Sequence, residues 1–165
     1  LTASSHPNMM VYVPSTSAKS LEFTIYNEQE EGIYQTQVNL RNTPGIVNLS
    51  LPTSQPGLEI GKDYRFVVSI ICQQSGPQNP FVEGLLRRVA PASALRNQLN
   101  QSTSLEQVIA LSESGYWVEA VSNLAKLKLS QPFDSEIDTA WKDLLSSVGL
   151  SCIAQAPLNQ LTVIS

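Results

Sequence analysis

The side chains able to do chemistry are few and scattered. His6 is the only histidine and sits in the polar stretch TASSHPN. A serine triad would have to recruit that one ring, and no Gly-x-Ser-x-Gly turn exists to present a nucleophile. Cys72 and Cys152 are far apart and have no metal-ligand spacing; zinc needs several Cys or His ligands. The two thiols read first as small buried hydrophobes. The alternative is a disulfide tying two parts of the chain, which would imply an oxidising compartment. Glu28, Glu30 and Glu31 form the densest carboxylate group. Such a group can hold a cation or move protons, but a polar turn open to water favours a solvated charge run. GLEIGK lacks the spacing of a phosphate loop and the Ser or Thr after its lysine. The sequence therefore assigns no catalytic, metal or cofactor-binding residue and implies no cofactor.

Composition narrows the partners. The chain has 165 residues, 42% of them hydrophobic and only 15% charged, with a net charge of −4. Charged residues usually make up about a quarter of a soluble domain, so Ser, Thr, Asn and Gln must supply much of the surface. The longest basic run is Arg87-Arg88. Nucleic-acid binding needs clustered cations to displace phosphate counterions, so no nucleic-acid partner is expected. No apolar run reaches the ~18 residues of a membrane span. The chain starts at Leu1 without a leader-like segment, which fits a removed leader or a start that was not included.

The elements that must position any site divide at Pro91. Before it, apolar residues recur with period two. Leu21, Phe23 and Ile25 share one face of LEFTIY. Tyr34, Thr36, Val38 and Leu40 share one face of IYQTQVNL, and Val47, Leu49 and Leu51 one face of GIVNLSLP. Alternation with one wet face predicts antiparallel strands. YRFVVSIIC is apolar on both faces through Val67 and Ile71, which predicts a central strand covered on both sides; FVEGLLRRV is its expected partner, with Gly84 permitting a bulge or close packing. Arg87 and Arg88 then face opposite sides, one to solvent and one to a carboxylate near the helical junction. QQSGPQNP is read as a mobile loop. Six or seven short strands predict an antiparallel β-sandwich of immunoglobulin-like architecture over 1–90.

After Pro91 the period becomes helical. Leu95 and Leu99 lie one turn apart, and Thr103 with Glu106 reads as a capping box. Leu105, Val108, Ile109 and Leu111 form one stripe, which Gly115 ends. Trp117, Ala120, Val121, Leu124 and Leu127 form a second, closed by Pro132. Asp134 or Ser135 caps a third, lined by Ile137, Trp141, Leu144, Leu145 and Val148 and stopped by Gly149. The expectation is an α+β chain whose 91–165 part is a small helical bundle packed on the strands.

SGYWVEAVSNLAKLKLSQP, Ser114 to Pro132, resembles the second half of a tetratricopeptide repeat. Only one copy is visible, and an array needs about three, so the hairpin must find its burial on the rest of the chain. Over nearly the whole length, YVPSTSA, TPGIVNLSLP, LEIGKDYRFVVSIIC, FVEGLLRRVAP, SGYWVEAVSNLAKL and WKDLLSSVGL resemble an uncharacterised cyanobacterial family, the domain of unknown function numbered nine-two-eight. That resemblance implies a cyanobacterial source and export to periplasm, thylakoid lumen or beyond, and it implies no activity.

The functional expectation is an exported, non-enzymatic protein that binds or scaffolds another protein, as in a membrane or envelope assembly. Its candidate surfaces are the edge of the sandwich, by strand addition, and the outer face of the hairpin around Tyr116, Glu119 and Asn123. Tyr116 is the ring expected to be exposed, whereas Trp117 and Trp141 are expected in the core. The alternative is a carbohydrate-binding module, which would need Tyr12, Tyr26, Tyr34 or Tyr64 open on a sheet face. Asn48 and Asn100 head glycosylation-type tripeptides, a pattern given little weight.

Overall fold

The structure is a computed structural model that describes residues 1–72, 78–99, 103–159 and 162–163. The QQSGPQNP loop and the Asn100 tripeptide fall largely or wholly outside them. Six strands come first: β1 (Asn8–Val13), β2 (Ser20–Tyr26), β3 (Gly32–Asn39), β4 (Gly45–Ser50), β5 (Asp63–Ile71) and β6 (Phe81–Arg87). Four helices follow: α1 (Ser93–Leu99), α2 (Leu105–Glu113), α3 (Trp117–Ser130) and α4 (Ser135–Ser146). The change of period near Pro91 thus marks a real change of secondary structure, and the protein is of mixed α+β class with two sheets.

One sheet has the order β6-β5-β2-β3 and is antiparallel; the other pairs β1 with β4. Two elements had no period to betray them. β7 (Leu158–Asn159) adds to β4 in parallel, and β8 (Thr162–Val163) adds to β3 antiparallel, so the C-terminal stretch returns to both sheets.

The alternating residues bury as their pattern requires. Leu21, Phe23, Ile25 and Val38 of the larger sheet share one buried cluster with Met9, Val13, Val47 and Leu49 of the smaller. The smaller sheet turns its other face to the helices: Ile46 lies in a second cluster with Leu111, Ala120, Leu124 and Trp141. β5 is the interior strand expected, paired with β6 on one side and β2 on the other, but the expected cover of both its faces fails. Ile71 is buried and Val67 half-buried, but the helices dock through α3 on β1 rather than over β5. Val67 sits between Thr24 and Glu83 across the neighbouring strands, and those neighbours supply the cover expected of another layer.

Local signals end the helices. Gly115 (φ 81°) and Gly149 (φ 77°) adopt the left-handed conformation, and the N–H of Tyr116 reaches back to Leu111 O at 2.9 Å. Asp134 caps α4 by accepting from Glu136 N and Ile137 N. The cap of α2 is one residue later than expected: Ser104, not Thr103, accepts from Gln107 N at 3.3 Å. Trp141 is fully buried and its Nε1 donates to Ala154 O at 3.1 Å, fastening the 3-10 turn Ser151–Ile153 to α4. Val148, expected on the apolar face, is half-exposed beyond the helix end.

Two stability outcomes follow from these contacts. A Cβ on Gly84 would stand 2.5 Å from the Phe66 ring; the glycine provides close packing, with no bulge in the β5–β6 register. Gly84→Ala should cost about 1–3 kcal/mol by overpacking, recovered in part by Phe66→Leu, as read by urea denaturation of the single and double variants. On α4, Asp138 accepts from Lys128 and pairs with Lys142, and these bonds lower its pKa to about 2. A lowered folded value contributes stability that is complete above the unfolded carboxylate pKa of roughly 4. The contribution should fade between there and about 2 as acid protonates the folded group, and Asp138→Asn should show no such component in a stability-versus-pH series.

Candidate partner-binding surfaces

The three residues proposed on the hairpin do not form an open face. Tyr116 is buried, at 8% exposure, where an exposed ring was expected. It precedes α3 and packs in the helical cluster with Leu111 and Ala120. Trp117, expected in the core, is the half-buried member of the pair, and Asn123 is half-buried too. Glu119 is 91% removed from solvent, at 9% exposure.

Glu119 has a definite structural task. Its Oε1 accepts from the Thr2 hydroxyl, from Ala3 N at 2.8 Å and from Ser4 N at 3.0 Å. Thr2 in turn donates its N–H to Arg87 O at 3.0 Å and accepts from Val89 N at 2.9 Å, a parallel bridge beside Arg88. The carboxylate therefore ties the N-terminal segment, already attached to the end of β6, to the first turn of α3. The three donors converge on Oε1, while Oε2 is buried with no hydrogen-bond partner among the described residues. Sequence reading missed this because an acidic residue in a first helical turn is ordinarily solvated.

Several of the remaining charged groups pair with one another. Glu28 accepts from Asp63 N and pairs with Lys62, while Glu30 pairs with Arg65. The Asp63 amide first, then Lys62, holds the Glu28 carboxyl below its ordinary range, and the Arg65 guanidinium does the same for Glu30. Arg65 also lies 4.5 Å over the Tyr26 ring and bonds Glu83 at 3.0 Å. Arg87 is the exposed arginine, yet it is the one that pairs with a carboxylate, Asp63 at 2.8 Å. Arg88 donates instead to the Leu58 carbonyl, so the carboxylate expected near the helical junction is not its partner. Cys72 and Cys152 are both exposed and unbonded, neither core residues nor a disulfide. Among the tyrosines, Tyr64 is buried with its hydroxyl accepting from Glu59 N, Tyr34 is edge-on to Phe23, and Tyr12 is exposed at 38%.

Among the described residues, what lies open is the edge of the larger sheet at β6. Ile70 N donates to Pro80 O, so with period two Val82, Gly84 and Leu86 turn their backbone groups toward β5. Phe81, Glu83, Leu85 and Arg87 turn theirs outward, and of these Arg87 meets Thr2. Phe81 is 59% exposed, Val82 56% and Leu85 83%. Beside this edge a hollow of about 220 Å³ is lined by Leu1, Phe66, Leu86, Trp117 and Val121.

These features define a two-sheet α+β protein that covers parts of its sheet edges with its N- and C-terminal segments and, among the described residues, leaves the apolar β6 edge largely uncovered. A family described as Domain of Unknown Function (DUF928) matches residues 1–158, and the chain belongs to that family. Comparison with curated proteins finds no match, and neither does comparison with solved structures.

Glu119→Ala would leave Thr2, Ala3 and Ser4 without their shared acceptor. It should destabilise the fold by about 3 kcal/mol and release the N-terminal segment, seen as faster amide exchange at Ala3, Ser4 and Val89. Thr2→Val, which deletes one donor, should cost about 1 kcal/mol.

Proposed function

We propose that this is an exported protein of cyanobacterial origin that binds or scaffolds another protein by strand addition at β6. We read the two sheets as an immunoglobulin-like sandwich over 1–90. In the 91–165 part, α2 and α3 are the tetratricopeptide-like hairpin, given over to packing rather than to a partner. The observation that carries the reading is the β6 edge, where exposed Phe81, Val82 and Leu85 accompany outward backbone groups at Phe81, Glu83 and Leu85. An extended segment laid along such an edge gains main-chain hydrogen bonds for affinity and side-chain contacts for specificity. Large exposed apolar residues on an edge strand are otherwise an aggregation liability. The carbohydrate alternative has weaker support, because Tyr64 is buried and Tyr26 is occupied by Arg65. The sparse chemistry of the chain is in keeping with a non-enzymatic role in periplasm, thylakoid lumen or extracellular space.

Leu85→Pro tests the site, since the lost N–H points away from β5 and serves no described ladder bond. In pull-downs from a native envelope fraction, the wild-type protein should retain a partner that Leu85→Pro and Phe81→Lys lose, with unchanged circular dichroism. Recovery of the wild-type protein alone at every salt concentration, or equal retention by the variants, would sink the reading.

A further inference from the structure

A second site lies on the opposite rim of the larger sheet, and its observations are independent of the β6 edge. Between β3 and β4 runs a groove of about 350 Å³. It is lined by Phe23, Val38 and Leu49, all buried in the cluster between the sheets, by Met10 and Ile46 of the helical cluster, and by the half-exposed Leu129 of α3. Leu158 and Asn159 of β7 also line it. The polar groups in the walls are neutral hydroxyls and amides such as Tyr34, Thr36 and Asn48, with one exception. Lys126, exposed on α3, is the single charged residue of the lining and makes no ion pair with a described residue. The other lysines of α3 and α4 do otherwise: Lys128 and Lys142 both engage Asp138.

We infer that this groove binds a small amphiphile with an apolar chain and a carboxylate head, the chain lying between Leu49 and Leu129 and the head on Lys126. The volume falls at the lower end of the range for small-molecule sites, roughly 300–1,000 Å³, and so does the plan: mostly apolar walls with a few polar groups that fix orientation. Removing the alkyl carbons from water drives binding, and an ammonium with no ion-pair partner among the described residues selects an anionic head over a neutral or cationic one. An extended peptide fits less well. β7 covers Ile46 and Val47, which leaves only Asn48–Ser50 of the β4 edge. On β3, β8 covers Val38 and Asn39 while the register irregularity falls at Ile33. Neither free edge has the five or six residues of an ordinary strand pairing.

The test is calorimetric titration of the full chain with sodium decanoate and with decyltrimethylammonium, two soluble probes of equal chain length and opposite head charge. Decanoate should saturate one site and bind at least about tenfold more tightly than the cation. Lys126→Met should weaken decanoate about fivefold or more and leave the cation unaffected, while Lys126→Glu should invert the preference. Both changes are on an exposed helix position and favour helix, so folding is preserved. Ser50→Trp, at an exposed position of the lining, should block decanoate by filling the groove. The methyl resonances of Ile46, Leu49 and Leu158 should shift on binding to the wild type. Leu85→Pro should bind decanoate as the wild type does, which separates this site from the β6 edge. Absence of saturable decanoate binding would overturn the inference. So would equal affinity for the cation, indifference to Lys126→Met or Ser50→Trp, or shifts at those methyls with an alternating Val/Thr peptide in place of decanoate.

Discussion

The union of strands and helices depends on the Glu119 carboxylate. A helix docked only by apolar side chains can slide or rotate at modest cost, because dispersion and burial are non-directional. A buried carboxylate receiving three directed donors cannot. Its partners Thr2, Ala3 and Ser4 belong to a segment hydrogen-bonded to Arg87 and Val89 at the end of β6. The first turn of α3 is thereby fixed relative to the larger sheet, and the rest of the helix follows. Ala120, Leu124 and Ala125 are fully buried, with the flanking helices and β1 around them. Small side chains at two of those three positions let the backbones approach closely, so α3 acts as the common wall of both clusters.

Much of this architecture was legible because it rests on period. Leu21, Phe23 and Ile25 bury and Glu22 does not; Ile137, Trp141 and Leu145 bury along one helical stripe. Where local chemistry dictates conformation, single residues were legible as well, as at Gly115, Asp134 and Gly149. Features made by distant segments were not. β7 and β8 are two residues long and carry no period. The burial of Tyr116 and Glu119 needs the Leu111 turn and the N-terminal segment, neither of which announces itself near Ser114. The ion pairs of Glu28 and Glu30 were hidden for the same reason: Lys62 and Arg65 are more than thirty positions away, at |i−j| of 34 and 35.

The low charge content has a structural counterpart. Glu28, Lys62, Asp63 and Arg87 form one connected group on the larger sheet and its adjoining turn, and Glu30, Arg65 and Glu83 form another. Exposed pairs of this kind contribute little to stability; their effect here is to concentrate a large share of the charge in one place. On the helices Lys128 and Lys142 share Asp138, whereas Lys126 makes no ion pair with a described residue.

Edge protection is distributed in an order that solubility alone does not explain. An exposed edge is ordinarily made safe by charge, by proline, by a bulge or by cover. β3, whose side chains from Gln35 to Gln37 are polar, has both a register irregularity and the cover of β8. β6 is the more hazardous edge by composition, yet its described cover is Thr2 at one end, and Glu83 alone interrupts Phe81, Val82 and Leu85. A chain under selection only to remain monomeric would place its spare terminal strand over the apolar edge and leave the polar one bare. The opposite allocation supports the proposal of strand addition at β6, since a cover there would compete with an incoming strand for the same N–H and C=O groups.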